Sequence, residues 1–134
     1  MSAEANVKTI KEVYEAFGRG DAEAILEKVT DDVDWAADAS GSGAPWYGGR
    51  SGRAEVGAFF ADVGSVSDVL EFTPLSFAAN DNEVHTLVRY RVRFTSTGKE
   101  TDMNLHHYFR FRDGKIEYYR GSEDTAQTVA ALAS

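Results

Sequence analysis

Residues 83–112 read EVHTLVRYRVRFTSTGKETDMNLHHYFRFR. In both halves apolar residues recur at every second position, the period of a strand with one buried face. Val84, Val88, Tyr90, Val92 and Phe94 share one face of the first half, and His85, Arg89, Arg91 and Arg93 take the other. In the second half Met103, Leu105, His107, Phe109 and Phe111 form the apolar row, opposite Asp102, Asn104, His106, Tyr108, Arg110 and Arg112. The intervening STGK turns the chain, so the spacing predicts two antiparallel strands sharing an apolar side. The adjacent histidines then point to opposite faces. His107 is the one ionisable residue in its apolar row, and it faces either the core or a cavity within it.

Outward from this pair the pattern continues. Asp113-Gly114 is a two-residue hairpin signal, KIEYYRGSE (115–123) the last strand, and DTAQTVAALA (124–133) a short helix. Upstream, VLEFTPLSFAA (69–79) is a strand whose phase slips: Leu70 and Phe72 are even, Leu75 and Phe77 odd. Pro74 sits at the slip and predicts a bulge or an edge strand. Before residue 66 the period is helical. Val7, Ile10, Val13, Tyr14 and Phe17 predict a helix over 4–18, stopped by Gly18 and Gly20. Asp21 caps a second, short helix carrying Ile25, Leu26 and Val29. DDVDWAAD (31–38) alternates, with Val33, Trp35 and Ala37 on one side. ASGSGAPWYGGR (39–50) is a long irregular loop, and Ser51 caps a third helix over 52–63 with Val56, Phe59, Phe60 and Val63 inward. Helices followed by antiparallel strands make the class α+β.

A chain of 134 residues with 43% hydrophobic and 12% aromatic content is a single globular domain. The segment MSAEANVKTIKEVYEAF has no long apolar run, so neither secretion nor membrane spanning is expected. Cysteine is absent, which excludes disulfides, a thiolate nucleophile and a Cys-based metal site and suits the cytoplasm. A net charge of -8, with Asp31, Asp32 and Asp34 clustered, excludes nucleic acid as a partner. The glycines of GSGAPWYGGRSG (41–52) lack the Gly-Lys-Ser/Thr of a phosphate loop, so no nucleotide cofactor is expected. Nor is a metal: His106 and His107 cannot chelate together from one strand.

With those residues in place, the order of elements resembles the NTF2-like superfamily, and within it the SnoaL-like polyketide cyclases and the ketosteroid isomerases. The resemblance is carried by VYEAFGRGDAEAILEKVTDDVDW (13–35), YGGRSGRAEVGAFFADV (47–63), HHYFRFRDGKI (106–116) and the tail that follows. It implies a cone-shaped shell in which a strongly curved, mostly antiparallel sheet wraps three N-terminal helices around an apolar pocket. It also implies a homodimer through the outer sheet face, here the row of Arg89, Arg91, Arg93, Asn104, His106, Tyr108, Arg110 and Arg120.

The catalytic residues of those relatives carry over only in part. The tyrosine of the isomerases on the first helix falls at Val13, with Tyr14 one position away. Their general-base aspartate falls at Ala37, with Asp38 one position away. Their second oxyanion-hole acid falls at His107, where the cyclases also keep a histidine. The acid/base aspartate of the cyclases falls at Gly121, with Glu123 two residues on. The inward Asp-Arg-Asp set of limonene epoxide hydrolases has no counterpart, because the strand arginines lie on the outward row. Ordinary ketosteroid isomerisation is therefore not expected.

The inward rows predict a pocket lining of Trp35, Phe59, Phe60, Val88, Tyr90, Val92, Met103, Leu105, His107, Phe109 and Tyr119. Such a lining suits a flat, apolar small molecule. Trp46 and Tyr47, large aromatics in a glycine-rich loop, either plug the cavity or close over a ligand as a lid. The expected chemistry is cofactor-independent proton transfer beside a carbonyl or enol. His107 would be the acid or base, Tyr90 or Tyr119 a donor to the developing oxyanion, and Asp38 or Glu123 the partner carboxylate. The alternatives are a binding protein without turnover and a dimeric accessory domain whose pocket is filled by core side chains.

Overall fold

The computed structural model describes residues 2–39 and 43–134; residues 40–42 of the irregular loop lie outside it. The elements run α1 (Ala3–Gly18), α2 (Ala22–Leu26), β1 (Val29–Ala37), β2 (Gly48–Ser51), α3 (Gly52–Val66), β3 (Ser67–Ala79), β4 (Glu83–Phe94), β5 (Glu100–Arg112), β6 (Lys115–Ser122) and α4 (Thr125–Leu132). One six-stranded curved sheet has the order β2-β1-β6-β5-β4-β3. All neighbours are antiparallel except β1 and β6. The class is α+β, as the change of hydrophobic period at residue 66 implies.

Local chemistry sets most boundaries. Ser2 caps α1 by accepting from the Ala5 N–H, and Asp21 caps α2 by accepting from the Ala24 N–H at 3.1 Å. Asp113 and Gly114 both adopt positive φ, as a tight hairpin between β5 and β6 requires. Asn80 Oδ1 accepts from the N–H groups of Asn82 and Glu83, each at 2.8 Å, and closes the β3–β4 turn.

Four features differ from the sequence reading. Val29, read as part of the second helix, instead opens β1 and is fully buried. Ser51 precedes α3 but its side chain makes no capping bond; instead Glu55 reaches back to the Ser51 N–H at 3.0 Å. Residues 48–51, read as the end of a loop, form β2, which pairs through its backbone with Asp34–Ala37 of β1. Two glycines, an arginine and a serine carry no alternation, so nothing in GGRS announced a strand. The slip at Pro74 is both things at once: β3 is an edge strand, and its register shifts between Pro74 and Ser76 and again between Val69 and Glu71. These bulges bend the strand.

The inward rows of the sheet and the apolar faces of α1 and α3 form one core, in which Ile10, Val29, Val33, Val56, Val84, Val88, Val92 and Ile116 are fully buried. The outer face is lined with ion pairs between strands: Arg89–Asp102, Arg91–Glu100, Arg93–Asp68 and Arg120–Asp34. Arg110 and Arg120 stack on Tyr118 at 4.0 and 4.2 Å. No helix among the described residues is long and apolar enough to cross a membrane.

One buried polar side chain ties the helical layer to the sheet. Asn6 of α1, 1% exposed, donates Nδ2–H to the carbonyls of Asn80 and Asp81 at 3.4 and 2.9 Å. Replacing it leaves both turn carbonyls without that donor. Asn6→Ala is expected to cost about 1–3 kcal/mol in urea unfolding, whereas substituting exposed Lys8 on the same helix should cost under about 0.5 kcal/mol.

Candidate functional site

The cavity is built around a single row that crosses the sheet. Thr86 on β4 lies directly opposite His107 on β5, His107 opposite Gly121 on β6, and Gly121 beside Ala37 on β1. All four point inward. An imidazole flanked by a threonine on one side and by glycine and alanine on the other leaves a hollow in the floor of the sheet. Helix α1 covers it and α3 walls it. The resulting cavity of about 90 Å³ is overwhelmingly apolar and extends to Glu123, just past the end of β6.

His107 does not stand alone. Tyr14, projecting from α1, brings its hydroxyl to 2.7 Å from His107 Nδ1 and 2.6 Å from Thr86 Oγ1. The three side chains form a chain that can run in either direction. If Thr86 donates to Tyr14 and Tyr14 to Nδ1, His107 presents Nε2–H to the cavity. If Nδ1–H donates to Tyr14 and Tyr14 to Thr86, Nε2 presents a lone pair. In both cases Nε2 has no partner among the described residues. Burial drives the His107 pKa from 6.5 down to about 3, and the charge of His106 adds to the shift, so the imidazole is neutral.

Phenols surround this neutral histidine. Tyr14, Tyr90 and Tyr119 all have raised pKa values, chiefly through burial, so each keeps its O–H. The hydroxyls of Tyr90 and Tyr119 have no hydrogen-bond partner among the described residues. Trp35 stacks on Tyr119 with ring centroids 4.1 Å apart, and its buried indole N–H is also without an acceptor among them. Phe109 packs edge-on against His107 and Trp35 and completes the floor.

Tyr119 explains the glycine at 121. A Cβ on Gly121 would lie 2.1 Å from the Tyr119 hydroxyl and 3.3 Å from His107 Cδ2. The phenol therefore occupies the space that any side chain at 121 would enter, including the aspartate that the resemblance places there.

At the other end of the cavity, Glu123 accepts from Trp46 Nε1–H at 3.1 Å, from the Tyr47 hydroxyl at 3.1 Å and from the Thr128 hydroxyl. Its carboxylate thus joins the aromatic loop to α4. Trp46 also stacks against Phe94, at 6.0 Å and 21°. The loop aromatics are buried, Trp46 as part of the cavity wall.

Of the residues singled out from the sequence, Trp35, Trp46, Phe59 and Phe60 line the cavity, as do Tyr90, Leu105, Phe109 and Tyr119, with His107 and Glu123. Five do not. Asp38 is exposed: Ala37 is the last inward residue of β1, and the next one turns out, held by its N–H on the Gly121 carbonyl at 2.6 Å. Met103 is buried one step beyond Leu105 on β5, in packed core rather than in the cavity wall. Val88 and Val92 are likewise fully buried core. Tyr47 lies behind Trp46, and its contribution is the bond to Glu123. In the other direction, the sequence reading passed over Tyr14 as a site residue, and over Thr86 entirely. Thr86 could have been found from the register, since it lies in the inward row of its strand directly opposite His107. Among the described residues no group of three or more His, Asp or Glu side chains is placed to hold a metal ion.

Two measurements follow from this geometry. Because the folded chain keeps His107 neutral while the unfolded chain protonates it near pH 6.5, the unfolded state binds more protons below that pH. Stability is therefore greatest above about pH 6.5 and falls toward pH 3, by up to about 1.4 kcal/mol per pH unit from this proton. His107→Gln is expected to flatten urea-unfolding stability between about pH 6.5 and about pH 5, above the carboxylate range. Gly121→Ala is expected to cost about 1–3 kcal/mol through overpacking. In a Tyr119→Phe background, which deletes the nearer clashing atom, that cost should fall.

Comparison with known proteins agrees with this architecture. The SnoaL-like domain profile matches residues 10–119. No curated protein sequence matches the chain. Among solved structures, an NTF2-like protein from Burkholderia xenovorans superposes with a TM-score of 0.88 at 23% identity over 99% of each chain. An NTF2-like protein of unknown function from Burkholderia pseudomallei gives 0.85 at 27% identity over 100% of each chain. TerC, co-crystallised with polyporic acid, gives 0.86 at 24% identity over 97% of this chain and 99% of its own. With its helices, its curved sheet and a profile match over residues 10–119, the chain belongs to the SnoaL-like domain family and has the NTF2-like fold.

Proposed function

We propose that the cavity binds an apolar, oxygen-bearing small molecule, polycyclic or carbonyl in character, and moves a proton on it with His107 as the acid–base group. The observation that carries this reading is a neutral imidazole held at Nδ1 by Tyr14 while Nε2 is left to an otherwise apolar cavity. In the base direction of the hydrogen-bond chain, Nε2 accepts a proton from the carbon beside a carbonyl. The C–H electron pair moves into the carbonyl, and the developing oxyanion takes hydrogen bonds from Tyr90 or Tyr119. Return of the proton to another carbon isomerises the compound; attack of the enolate carbon on a second carbonyl closes a ring, the π pair of that carbonyl moving to its oxygen, which takes the proton back from Nε2. Tyr14 and Thr86 position the imidazole and set its tautomer.

Binding without turnover is the second reading, and one arrangement favours it. Glu123 is engaged by three donors, and positions 37 and 121 carry no acid. His107 is then the one lining group left to move a proton. The homodimer belongs to the same proposal: Arg89, Arg91, Arg93 and Arg120, each paired with an acid of the same chain, present a largely neutralised polar surface to a second copy. Native mass spectrometry would report both the dimer and any retained small molecule.

The direct test is deuterium exchange at the carbon beside the carbonyl in a panel of polycyclic aryl ketones, followed by NMR. Wild type is expected to accelerate exchange. His107→Ala should lose about a hundredfold or more, and Tyr14→Phe, which removes one positioning bond, about tenfold. A His107→Ala variant that exchanges as fast as wild type overturns the proton-transfer reading and leaves binding alone.

A further inference from the structure

Among the described residues, the cavity lining holds no lysine or arginine, and its single carboxylate is Glu123. That carboxylate faces donors only: the indole N–H of Trp46 and the hydroxyls of Tyr47 and Thr128. It is half-buried, so its field acts through protein and cavity rather than through bulk water. The neighbouring Asp124, which caps α4 through the Gln127 N–H, adds a second negative charge on the same side. Deeper in the cavity, Tyr90 and Tyr119 offer hydroxyl donors and His107 is uncharged.

We propose, on the reading that this cavity binds a small molecule, that Glu123 makes it selective for charge: uncharged aromatic carbonyl compounds enter, and carboxylate analogues of the same shape are excluded. An uncharged carbonyl satisfies the free donors and brings no charge into an apolar space. A carboxylate would lose its hydration, meet no cation among the lining residues, and sit in the field of Glu123. The phenols report that field, since Glu123 helps to raise the pKa values of Tyr47, Tyr90 and Tyr119 by opposing a second negative charge beside each. The same carboxylate suits the proposed chemistry, in which the ligand arrives neutral and negative charge develops only against the tyrosine donors.

The test uses two probes of nearly equal shape, acetylnaphthalene and naphthoate, substituted at the same ring position. Binding is followed by quenching of Trp35 and Trp46, both in the cavity wall. The ketone is expected to bind at least about tenfold more tightly than the carboxylate, with a weak dependence on salt because the opposing charge acts from within the cavity wall. Glu123→Gln should narrow the gap by strengthening naphthoate relative to the ketone. Tyr47→Phe, which removes one donor to Glu123 but keeps its charge, should leave the preference in place. Equal binding of both probes to wild type, or loss of the preference in Tyr47→Phe as well as in Glu123→Gln, overturns charge selectivity while the binding reading stands. Binding of neither probe to chain shown to be folded by circular dichroism overturns the binding reading, and this proposal with it.

Discussion

The hydrogen bond between the Tyr14 hydroxyl and His107 Nδ1 is the contact on which the site depends. A polar ring in the floor of an apolar sheet is costly unless its polar atoms are met. Tyr14 meets one ring nitrogen, Thr86 meets Tyr14, and the second nitrogen is left to the cavity. That arrangement joins α1 to the neighbouring strands β4 and β5 through side chains drawn from positions 14, 86 and 107. It also sets the charge of the site, because the packing that aligns the three groups removes the water that would stabilise an imidazolium.

The hollow next to His107 has an equally local cause. Glycine at 121 and alanine at 37 continue its row across β6 and β1. Tyr119, two residues before Gly121 on the same strand, lays its hydroxyl into the space so vacated. A position that could have carried an acid instead gives room to a phenol supplied from the next inward position. The polar character of the cavity therefore comes from tyrosine hydroxyls and one neutral imidazole, with the one carboxylate among the described lining residues held at the far end. A site of this kind orients an oxygen atom by donation and offers little to an ion.

The loop aromatics and the C-terminal helix form the third part of the structure, and Glu123 links them. Without that carboxylate, the Trp46 N–H and the Tyr47 and Thr128 hydroxyls would each lose the acceptor they now share. Trp46 is consequently both a wall of the cavity and a strut of its rim. This accounts for large aromatics in a glycine-rich segment: the glycines let the chain turn, and the rings fill what would otherwise be an opening.

The sequence alone determined the α+β class, the inward orientation of His107, the outward one of His106, the bulged edge strand at Pro74 and most of the aromatic lining. Each is a consequence of local periodicity or of proline's missing N–H, which act over a few residues. What only the tertiary structure decided is which side chains meet. Tyr14 and Val13 both line the cavity, and a helix turns about 100° per residue, so counting along the chain could not tell which of them would reach the histidine. Asp38 sits one residue past the end of an alternating strand, where the chain leaves the sheet and parity stops predicting direction. β2 is a strand only because β1 offers it a backbone edge, and Glu123 is a half-buried acceptor only because a distant loop and a following helix fold onto it. Local patterns fix the face on which a residue lies; the partner across the cavity is set by how helices and sheet pack, and that packing is a property of the whole chain.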